Sequence, residues 1–170
     1  MFEIPFTSQQ LFIGGIGLVV LLLIVIVLPS STSAKPYQRL NSILTPSEQH
    51  FYKVLSSTIN GQATIMAKVR IADLLKVSST IKQKHFWSYF SKISQKHIDF
   101  VLIDSITFKT ICLIELDDKS HLRLGRSNRD KFVNRIMAET GIPLYRFRVQ
   151  RRYDRSDILQ ILSPCLNYQN

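Results

Sequence analysis

Apolar residues are distributed unevenly along the chain, with one uninterrupted run near its start. Leu11 to Leu28 contains no charged residue. A helix of that length spans roughly 27 Å at about 1.5 Å per residue, close to the thickness of the hydrocarbon core of a bilayer. We expect a single transmembrane helix over residues 11–28, preceded by a short segment over residues 1–10. A cleaved signal peptide is the stronger alternative, with the small residues Ser31 to Ala34 as its cleavage site, although no Lys or Arg precedes the run. A buried core helix is the weaker alternative, because the run is apolar on all sides.

The remainder of the chain alternates between helical and strand-like patterns, and we expect one folded domain over residues 43–163. A linker containing Ser, Thr and Pro over 29–42 leads into it, and a tail over 164–170 follows it. The run Thr45 to Glu48 is a capping-box sequence with Pro at the first helical position, so a helix begins there. The following Asn60-Gly61 predicts its end.

Four apolar segments predict strands, and the second and third are close enough to form an antiparallel hairpin. They are Thr64–Ile71, Ile98–Ile103, Thr110–Leu116 and Pro143–Val149. Apolar residues at helical spacing predict further helices between and after the strands. These stripes are Phe86, Tyr89, Phe90 and Ile93; Phe132, Val133, Ile136 and Met137, with Ser127 or Asn128 as cap and Gly141 as end; and the segment Asp154–Leu162. This order indicates an α/β fold class, a mixed sheet flanked by helices.

The charge distribution gives an orientation and a class of partner. The net charge is +10, and Glu3 is the only charged residue before Lys35. The positive-inside rule then places the C-terminal part in the cytoplasm. A domain this basic suits nucleic acid or an anionic membrane surface. The only cysteines are Cys112 and Cys165, which cannot supply a four-cysteine zinc site.

Acidic residues stand at the ends of two predicted strands. In the sequence I-E-L-D-D-K-S-H, Glu115 and Asp117 are two positions apart and therefore share one face of a strand. Asp99 lies inside the apolar run of the preceding strand. Carboxylates held together in this way need a positive charge between them, and a divalent cation is the usual one. We therefore expect a metal site formed by Asp99, Glu115 and Asp117.

Each candidate also has a structural explanation. Lys68 and Arg70 could neutralise the acids in a salt-bridged cluster without any metal. Glu48 is explained by its place in the capping box. His121 follows the acids and could act as a general acid or contact a phosphate, although a lone surface histidine has no such role in most proteins.

Basic residues are concentrated in two further segments. Arg123, Arg126, Arg129 and Arg135 surround the start of a predicted helix, where phosphates bind well, and the alternative is a solvated helix face. Basic and aromatic residues alternate in the second segment, as they do in proteins that bind single strands. These residues are Lys82, Lys84, His85, Trp87 and Lys92. The helical spacing of the neighbouring aromatic residues favours a core stripe there instead.

The element order and the acidic motifs together resemble the PD-(D/E)XK nuclease superfamily, whose core is α-β-β-β-α-β. The resemblance is closer to an uncharacterised bacterial domain family within it that is related to the very-short-patch-repair endonucleases. The matching motifs are T-P-S-E-Q at 45–49, K-V-R-I-A-D at 68–73, H-I-D-F-V-L at 97–102, I-E-L-D-D-K-S-H at 114–121, R-D at 129–130 and G-I-P-L-Y-R-F at 141–147.

The resemblance implies a restriction-endonuclease-like fold in which Asp99 and Glu115 hold Mg²⁺ or Mn²⁺, the main-chain carbonyl of Leu116 is a further ligand and Glu48 supports the site. The superfamily places a lysine two positions after the second acid, where this chain has Asp117. Asp117, His121 or Lys68 would then take part of the role of that lysine.

The function implied is phosphodiester hydrolysis on DNA by a nuclease-like protein anchored in the bacterial inner membrane, with its domain in the cytoplasm. Arg70 and the arginines at 123, 126, 129 and 135 would contact the nucleic acid. The alternative is a catalytically silent module of the same fold that binds nucleic acid or a membrane surface. A third hypothesis is a membrane assembly component whose fold serves only contacts with protein partners.

Overall fold

The computed structural model describes residues 35–117 and 124–167, with side chains in the second range from residue 128 onward. Before residue 35 it describes only Ile13, Gly15 and residues 17–19. The chain divides into two units, Met1–Leu40 and Asn41–Asn170. Within the described residues, no helix is both long and apolar enough to span a bilayer. The expected transmembrane segment over 11–28 lies mostly outside the described residues, and the cleavage site over 31–34 lies entirely outside them.

The second unit contains the predicted helices and strands in the predicted order, with one further short helix that begins at Ile71, where the first strand was expected to end. They are α1 (Pro46–Ile59), β1 (Thr64–Arg70), α2 (Ile71–Leu74), α3 (Gln83–Ser94), β2 (His97–Ile103), β3 (Thr110–Asp117), α4 (Leu124–Thr140), β4 (Leu144–Arg148) and α5 (Arg155–Leu166).

The first helix begins and ends where the sequence predicts. The Thr45 hydroxyl accepts a hydrogen bond from the Glu48 N–H at 3.3 Å, and Glu48 Oε2 accepts one from the Thr45 N–H at 2.9 Å. This reciprocal pair satisfies two amides that the helix itself leaves without partners. At the other end, Asn60 adopts a left-handed conformation with φ of 48°. The capping box therefore fixes Glu48 at the N-terminus of α1.

The strands form one four-stranded sheet in the order β1-β2-β3-β4. The first three strands are antiparallel, as the predicted hairpin requires, and β4 runs parallel to β3. The register aligns Ala67 with Phe100, Phe100 with Ile114, and Ile114 with Tyr145. Because β2 runs opposite to its neighbours, the next row toward one end of the sheet contains Lys68, Asp99, Glu115 and Arg146.

Helices cover both faces of the sheet. One apolar cluster joins α1 and α5 to the sheet and contains Phe51, Phe100, Ile114, Ile158 and Leu162, among others. The second joins α3 and α4 to the opposite face and contains Ile93, Val101, Leu113, Val133 and Met137, among others. The α/β class with a mixed sheet flanked by helices is confirmed. The stripe predicted for α4 is confirmed too, since Val133 and Met137 are fully buried.

Two helices extend beyond their predicted ends. The helix α4 begins at Leu124, so Ser127 and Asn128 lie inside it and do not cap it. The apolar spacing marks only the buried part of that helix. The helix α5 continues to Leu166 through Pro164, and the Cys165 thiol lies 3.2 Å from the Cys112 sulfur in the core. Both cysteines are free and buried, and their burial holds the last turn of α5 against the sheet.

Phe51 of α1 connects three aromatic rings in the first cluster. Its ring centroid lies 5.8 Å from Phe100, 5.1 Å from Phe147 and 5.0 Å from Tyr153. We expect Phe51→Ala to lower the free energy of unfolding by about 3–5 kcal/mol through lost burial and the remaining cavity. Denaturant unfolding of the full chain measures this. Lys53→Ala, at an exposed position of the same helix, should change it by less than about 0.5 kcal/mol. Equal losses in both variants would contradict the assigned core.

Candidate functional site

A cleft of about 380 Å³ lies at one end of the sheet. The N-terminus of α1 and residues of all four strands and of α4 form its walls. The residues that line it are Thr45, Ser47, Glu48, Lys68, Asp99, Glu115, Leu116, Asp117, Arg129, Asp130, Arg146 and Val149. Most of them are charged, so the cleft is suited to a polar ligand or an ion rather than to an apolar one.

Asp99 precedes Phe100 on β2, and Glu115 follows Ile114 on β3. Because Phe100 and Ile114 are paired in antiparallel strands, both acids lie next to that pair on the same side of it. The Leu116 N–H donates a hydrogen bond to Asp99 Oδ2 at 3.0 Å. That contact fixes the carboxylate of β2 against the backbone of β3. The contact uses the amide group of Leu116, and the expected role of its carbonyl as a metal ligand stays a prediction.

Lys68 enters the cleft from β1 and contacts two of its acids. Its Nζ lies 2.7 Å from Glu48 Oε1 and 3.1 Å from Asp99 Oδ1. Lys68 has a φ of 56°, and the pairing of β1 with β2 is interrupted between Ala67 and Val69. A left-handed conformation costs a residue other than glycine about 1–3 kcal/mol and is concentrated at functional sites. The strained residue of β1 is thus the one whose ammonium group joins Glu48 to Asp99.

The environment of Lys68 keeps its ammonium group charged. Partial burial acts to lower the pKa of Lys68, but the hydrogen bonds and charges of Glu48 and Asp99 together outweigh it and raise that pKa. A lysine in this state donates hydrogen bonds and stabilises negative charge, but it does not accept a proton near neutral pH. Lys68 is therefore an electrostatic group rather than a general base.

Arg146 is the cation that lies between the two acids of β3. It pairs with Glu115 across β4 and β3, and its Nη1 lies 3.0 Å from Glu115 Oε2 and 3.2 Å from Asp117 Oδ1. Asp130 of α4 is 3.8 Å from the same nitrogen. Glu115 and Asp117 share a face, as predicted, and a guanidinium group meets both of them.

Glu115 is the most deeply buried acid of the cleft, with 5% of its surface exposed. Arg129 Nη2 lies 3.3 Å from its Oε1 and also donates to the His97 carbonyl at 3.1 Å. Burial raises the pKa of Glu115, and the charges of Arg146 and Arg129 oppose that shift without cancelling it. Desolvation is thus the dominant influence on this carboxyl group.

The donor set suits a divalent cation with few protein ligands. The lining contains five carboxylate side chains and three basic side chains, so formal negative charge is in excess. Across the described part of the chain, no three Asp, Glu, His or Cys side chains form a metal-binding group. Mg²⁺ is commonly held by one or two carboxylates with water completing its shell. Asp99 and Glu115 can supply two such carboxylates, although each of them, like Asp117, is paired with a cationic side chain.

Other candidate residues lie away from the cleft. Arg70 forms two hydrogen bonds with Asp73 at 3.0 and 2.7 Å and does not neutralise the cleft acids. Arg135 is exposed and lies 3.7 Å from Glu139 on α4. Of the predicted basic run, Arg129 is the residue that the structure places in the cleft. His121 and Arg123 lie outside the described residues, as does the side chain of Arg126.

Sequence reasoning missed Arg146 and Asp130 as members of the site. Both fall inside motifs that carry the family resemblance, but neither follows from the spacing of the acids. Arg146 is a charged residue inside the apolar strand segment L-Y-R-F, which is the same signal that singled out Asp99. A charge at such a position indicates a buried partner, and Glu115 is that partner.

The ion pairs of Arg146 give a prediction on stability. Arg146→Met keeps the volume of the side chain but leaves buried Glu115 with Arg129 alone. We expect the free energy of unfolding to fall by roughly 3–5 kcal/mol, the effect of removing one partner of a buried pair. Arg135→Met removes an exposed pair on α4 and should cost less than about 1 kcal/mol. Denaturant unfolding of both variants measures the difference, and equal small losses would show that Arg146 does not hold the cleft together.

The raised pKa of Glu115 gives a prediction on pH. The native state binds this proton more tightly than the unfolded chain, whose carboxyl has the ordinary pKa of 4.5. The stability from this proton is present below that pKa and is lost as pH rises through the native-state pKa. The stability of the wild type relative to Glu115→Gln should therefore fall as pH rises from about 4 to about 7.

Unfolding free energies over that range measure this dependence. Glu139→Gln, which removes an exposed carboxylate of α4, controls for the loss of a surface charge. If the wild type gained stability over Glu115→Gln with rising pH, the assigned environment of Glu115 would be wrong.

Comparison with known proteins identifies a family but not an activity. The model of the family described as "Protein of unknown function (DUF2726)" matches residues 40–164, which covers the whole helix-and-strand unit apart from its last residues. No curated protein and no solved structure matches the chain. The cleft residues from Thr45 to Val149 all fall within the matched range. The chain therefore belongs to the DUF2726 family.

Proposed function

We propose that this domain is a metal-dependent nuclease of the restriction-endonuclease-like fold that hydrolyses phosphodiester bonds in DNA. The observation that carries the proposal is the convergence of Asp99, Glu115 and the strained Lys68 in one charged cleft. Two acids from neighbouring strands, with the Lys68 ammonium group beside one of them, can hold a metal ion and a phosphate group side by side.

The order of elements supports this assignment of the fold. Without the short α2 and the helix α3, the chain runs α1-β1-β2-β3-α4-β4, which matches the α-β-β-β-α-β core of the PD-(D/E)XK superfamily. The two acids occupy the second and third strands, as they do in that superfamily. Fold alone does not establish activity, so the proposal depends on the cleft residues.

Asp99 and Glu115 would hold Mg²⁺ or Mn²⁺ in this cleft. When bound, a divalent cation polarises the phosphate and stabilises the departing oxygen. The two carboxylates are engaged by Lys68, Arg129 and Arg146, so these ion pairs must rearrange when a cation is bound. The arginines released from the acids can then bind the phosphate oxygens, for which their planar donor groups are suited.

Lys68 would supply the positive charge that the superfamily takes from the position of Asp117. Its ammonium group stays charged and lies 3.1 Å from Asp99 Oδ1, so it can stabilise charge that develops on a phosphate held beside that acid. Glu48 holds the ammonium group in place at 2.7 Å. We propose that Asp117 positions Arg146. His121 stays a candidate proton donor from the sequence.

The membrane assignment stays a proposal as well. The apolar run over 11–28 would anchor the chain in the bacterial inner membrane, and the basic residues after it would keep the domain in the cytoplasm. A membrane-bound nuclease would meet its DNA near the membrane surface.

A catalytically silent binding module is the second candidate. Asp99, Glu115 and Asp117 each form a salt bridge to a cation of the described cleft. Such a compensated cluster is stable without a metal ion, and its arginines could still hold a phosphate. The two candidates differ in whether the cleft binds a divalent cation and whether bound DNA is cut.

Asp99→Asn and Lys68→Met test the proposal. With Mg²⁺ or Mn²⁺ present, we expect each to reduce DNA cleavage by the full chain by about 100-fold or more, because each removes a charge that acts on the transition state. Asp99→Asn should also abolish cation binding in calorimetry, whereas Lys68→Met should not. Asp73→Asn, which removes an acid paired with Arg70 outside the cleft, is the matched control and should leave both properties unchanged.

The measurements separate the two candidates. Cleavage that is unaffected by Asp99→Asn would place the chemistry elsewhere. An absence of both cation binding and cleavage in the wild type, with DNA binding retained, would favour the silent module.

A further inference from the structure

The helix α3 presents basic and aromatic side chains outside the cleft. Between Asp73 and Asp99 the sequence contains five lysines and no carboxylate. Trp87 is 69% exposed and Tyr89 is 47% exposed. We call the exposed part of α3 the α3 surface and define it by Lys82, Lys84, Trp87, Tyr89 and Lys92. At about 100° per residue, Lys84 and Trp87 lie on one flank of it and Tyr89 and Lys92 on the other.

The aromatic residues of α3 divide between the core and solvent. Ile93 is buried, and Phe86 and Phe90 are half-buried, so they account for the inward stripe that the sequence predicts. Tyr89 was expected in that stripe, but it is exposed. Its ring lies 5.0 Å from Lys92 Nζ. The core therefore does not explain Tyr89 or Trp87.

Trp87 is held in place by its neighbours. Its ring meets Phe86 edge-on at 5.2 Å and Phe90 edge-on at 5.9 Å between centroids. Lys84 lies one helical turn before it. A single exposed apolar side chain needs no partner. The Trp87 ring, however, is packed against two other rings and has lysines nearby, so it offers both an aromatic face for stacking and positive charge.

The α3 surface continues toward the cleft. Lys96 follows α3, and its Nζ lies 5.1 Å from the Phe132 ring of α4. The next residue is His97, whose carbonyl accepts a hydrogen bond from Arg129, the arginine that also contacts Glu115. Positive side chains therefore extend from α3 through Lys96 to the wall of the cleft.

We propose that the α3 surface binds single-stranded nucleic acid and leads it into the cleft. This rests on the proposed function and narrows its substrate class. A single strand offers free base faces for Trp87 and phosphates for the lysines. In a duplex the base faces are stacked on one another, so the indole has no partner there.

Tryptophan fluorescence can test whether the α3 surface binds single strands. Trp87 is the only tryptophan of the chain, so its fluorescence reports on the α3 surface alone. We expect oligo(dT) and oligo(U) of about 16 nucleotides to quench it in the full chain, and the comparison of the two distinguishes DNA from RNA. The same titration with a duplex of equal length should give little quenching.

Variants assign the binding to α3. We expect Trp87→Ala to weaken binding of a labelled oligonucleotide by about tenfold and Trp87→Phe to retain most of the affinity. Lys84→Ala should reduce the salt dependence of binding. Phe108→Ala and Lys109→Ala are the matched controls, because both residues are exposed in the β2–β3 turn at the opposite end of the sheet, and both should bind as the wild type does.

Three results would overturn the proposal. They are the absence of quenching by single strands, tighter binding of the duplex, and equal affinity of Trp87→Ala and the wild type. An emission shift with phosphatidylserine vesicles but not with oligonucleotides would identify a membrane partner instead.

The same experiment separates this proposal from the proposed function. Asp99→Asn should bind single strands through Trp87 without cutting them. Binding through Trp87 without any cleavage by the wild type would support the α3 surface and overturn the nuclease. Cleavage that is unchanged in Trp87→Ala, together with unchanged binding, would leave the nuclease standing and overturn the α3 surface.

Discussion

The antiparallel pairing of β2 with β3 is the constraint on which both the core and the cleft depend. Phe100 and Ile114 are opposite one another and fully buried, and a shift of one strand by one residue would move its side chains from one helix-covered face of the sheet to the other. The same register places Asp99 and Glu115 together in the next row of the sheet, toward the cleft. Burial of apolar side chains thus supplies the free energy that holds two carboxylates at one end of the sheet.

The charges at that end are stable because each buried carboxylate has a cation beside it. Glu115 lies between Arg129 and Arg146, and Asp99 lies between Lys68 and the Leu116 amide. These contacts come from four different elements. Removing one of these cations leaves a carboxylate with only part of its compensation, which costs more than the pair itself contributes. The same arrangement gives the cleft groups that can be exchanged for a metal ion and a phosphate.

The backbone at Lys68 supports the proposed role of the cleft. Its left-handed conformation interrupts the pairing of β1 with β2, and strain of this kind is concentrated at functional sites. The α3 surface is a feature that the core leaves unexplained. Arg129 connects the two, because its guanidinium contacts both the start of β2 after α3 and the buried Glu115. The path that we propose for a single strand runs along α3 toward this wall of the cleft.

Periodicity in the sequence by itself determined the order of helices and strands, the capping box of α1, the β2–β3 hairpin and the acids that mark its end. These features follow from neighbours in the chain, because apolar spacing and capping act over a few residues. The tertiary structure alone decided that Arg146 lies between Glu115 and Asp117, that Arg70 pairs with Asp73 instead, and that Trp87 and Tyr89 face solvent. The contacts of Arg146 and the exposure of Trp87 and Tyr89 depend on how elements that are distant in the sequence pack together. Arg70 and Asp73 are only three residues apart, but spacing alone does not specify whether Arg70 pairs with this neighbour or with an acid of the cleft.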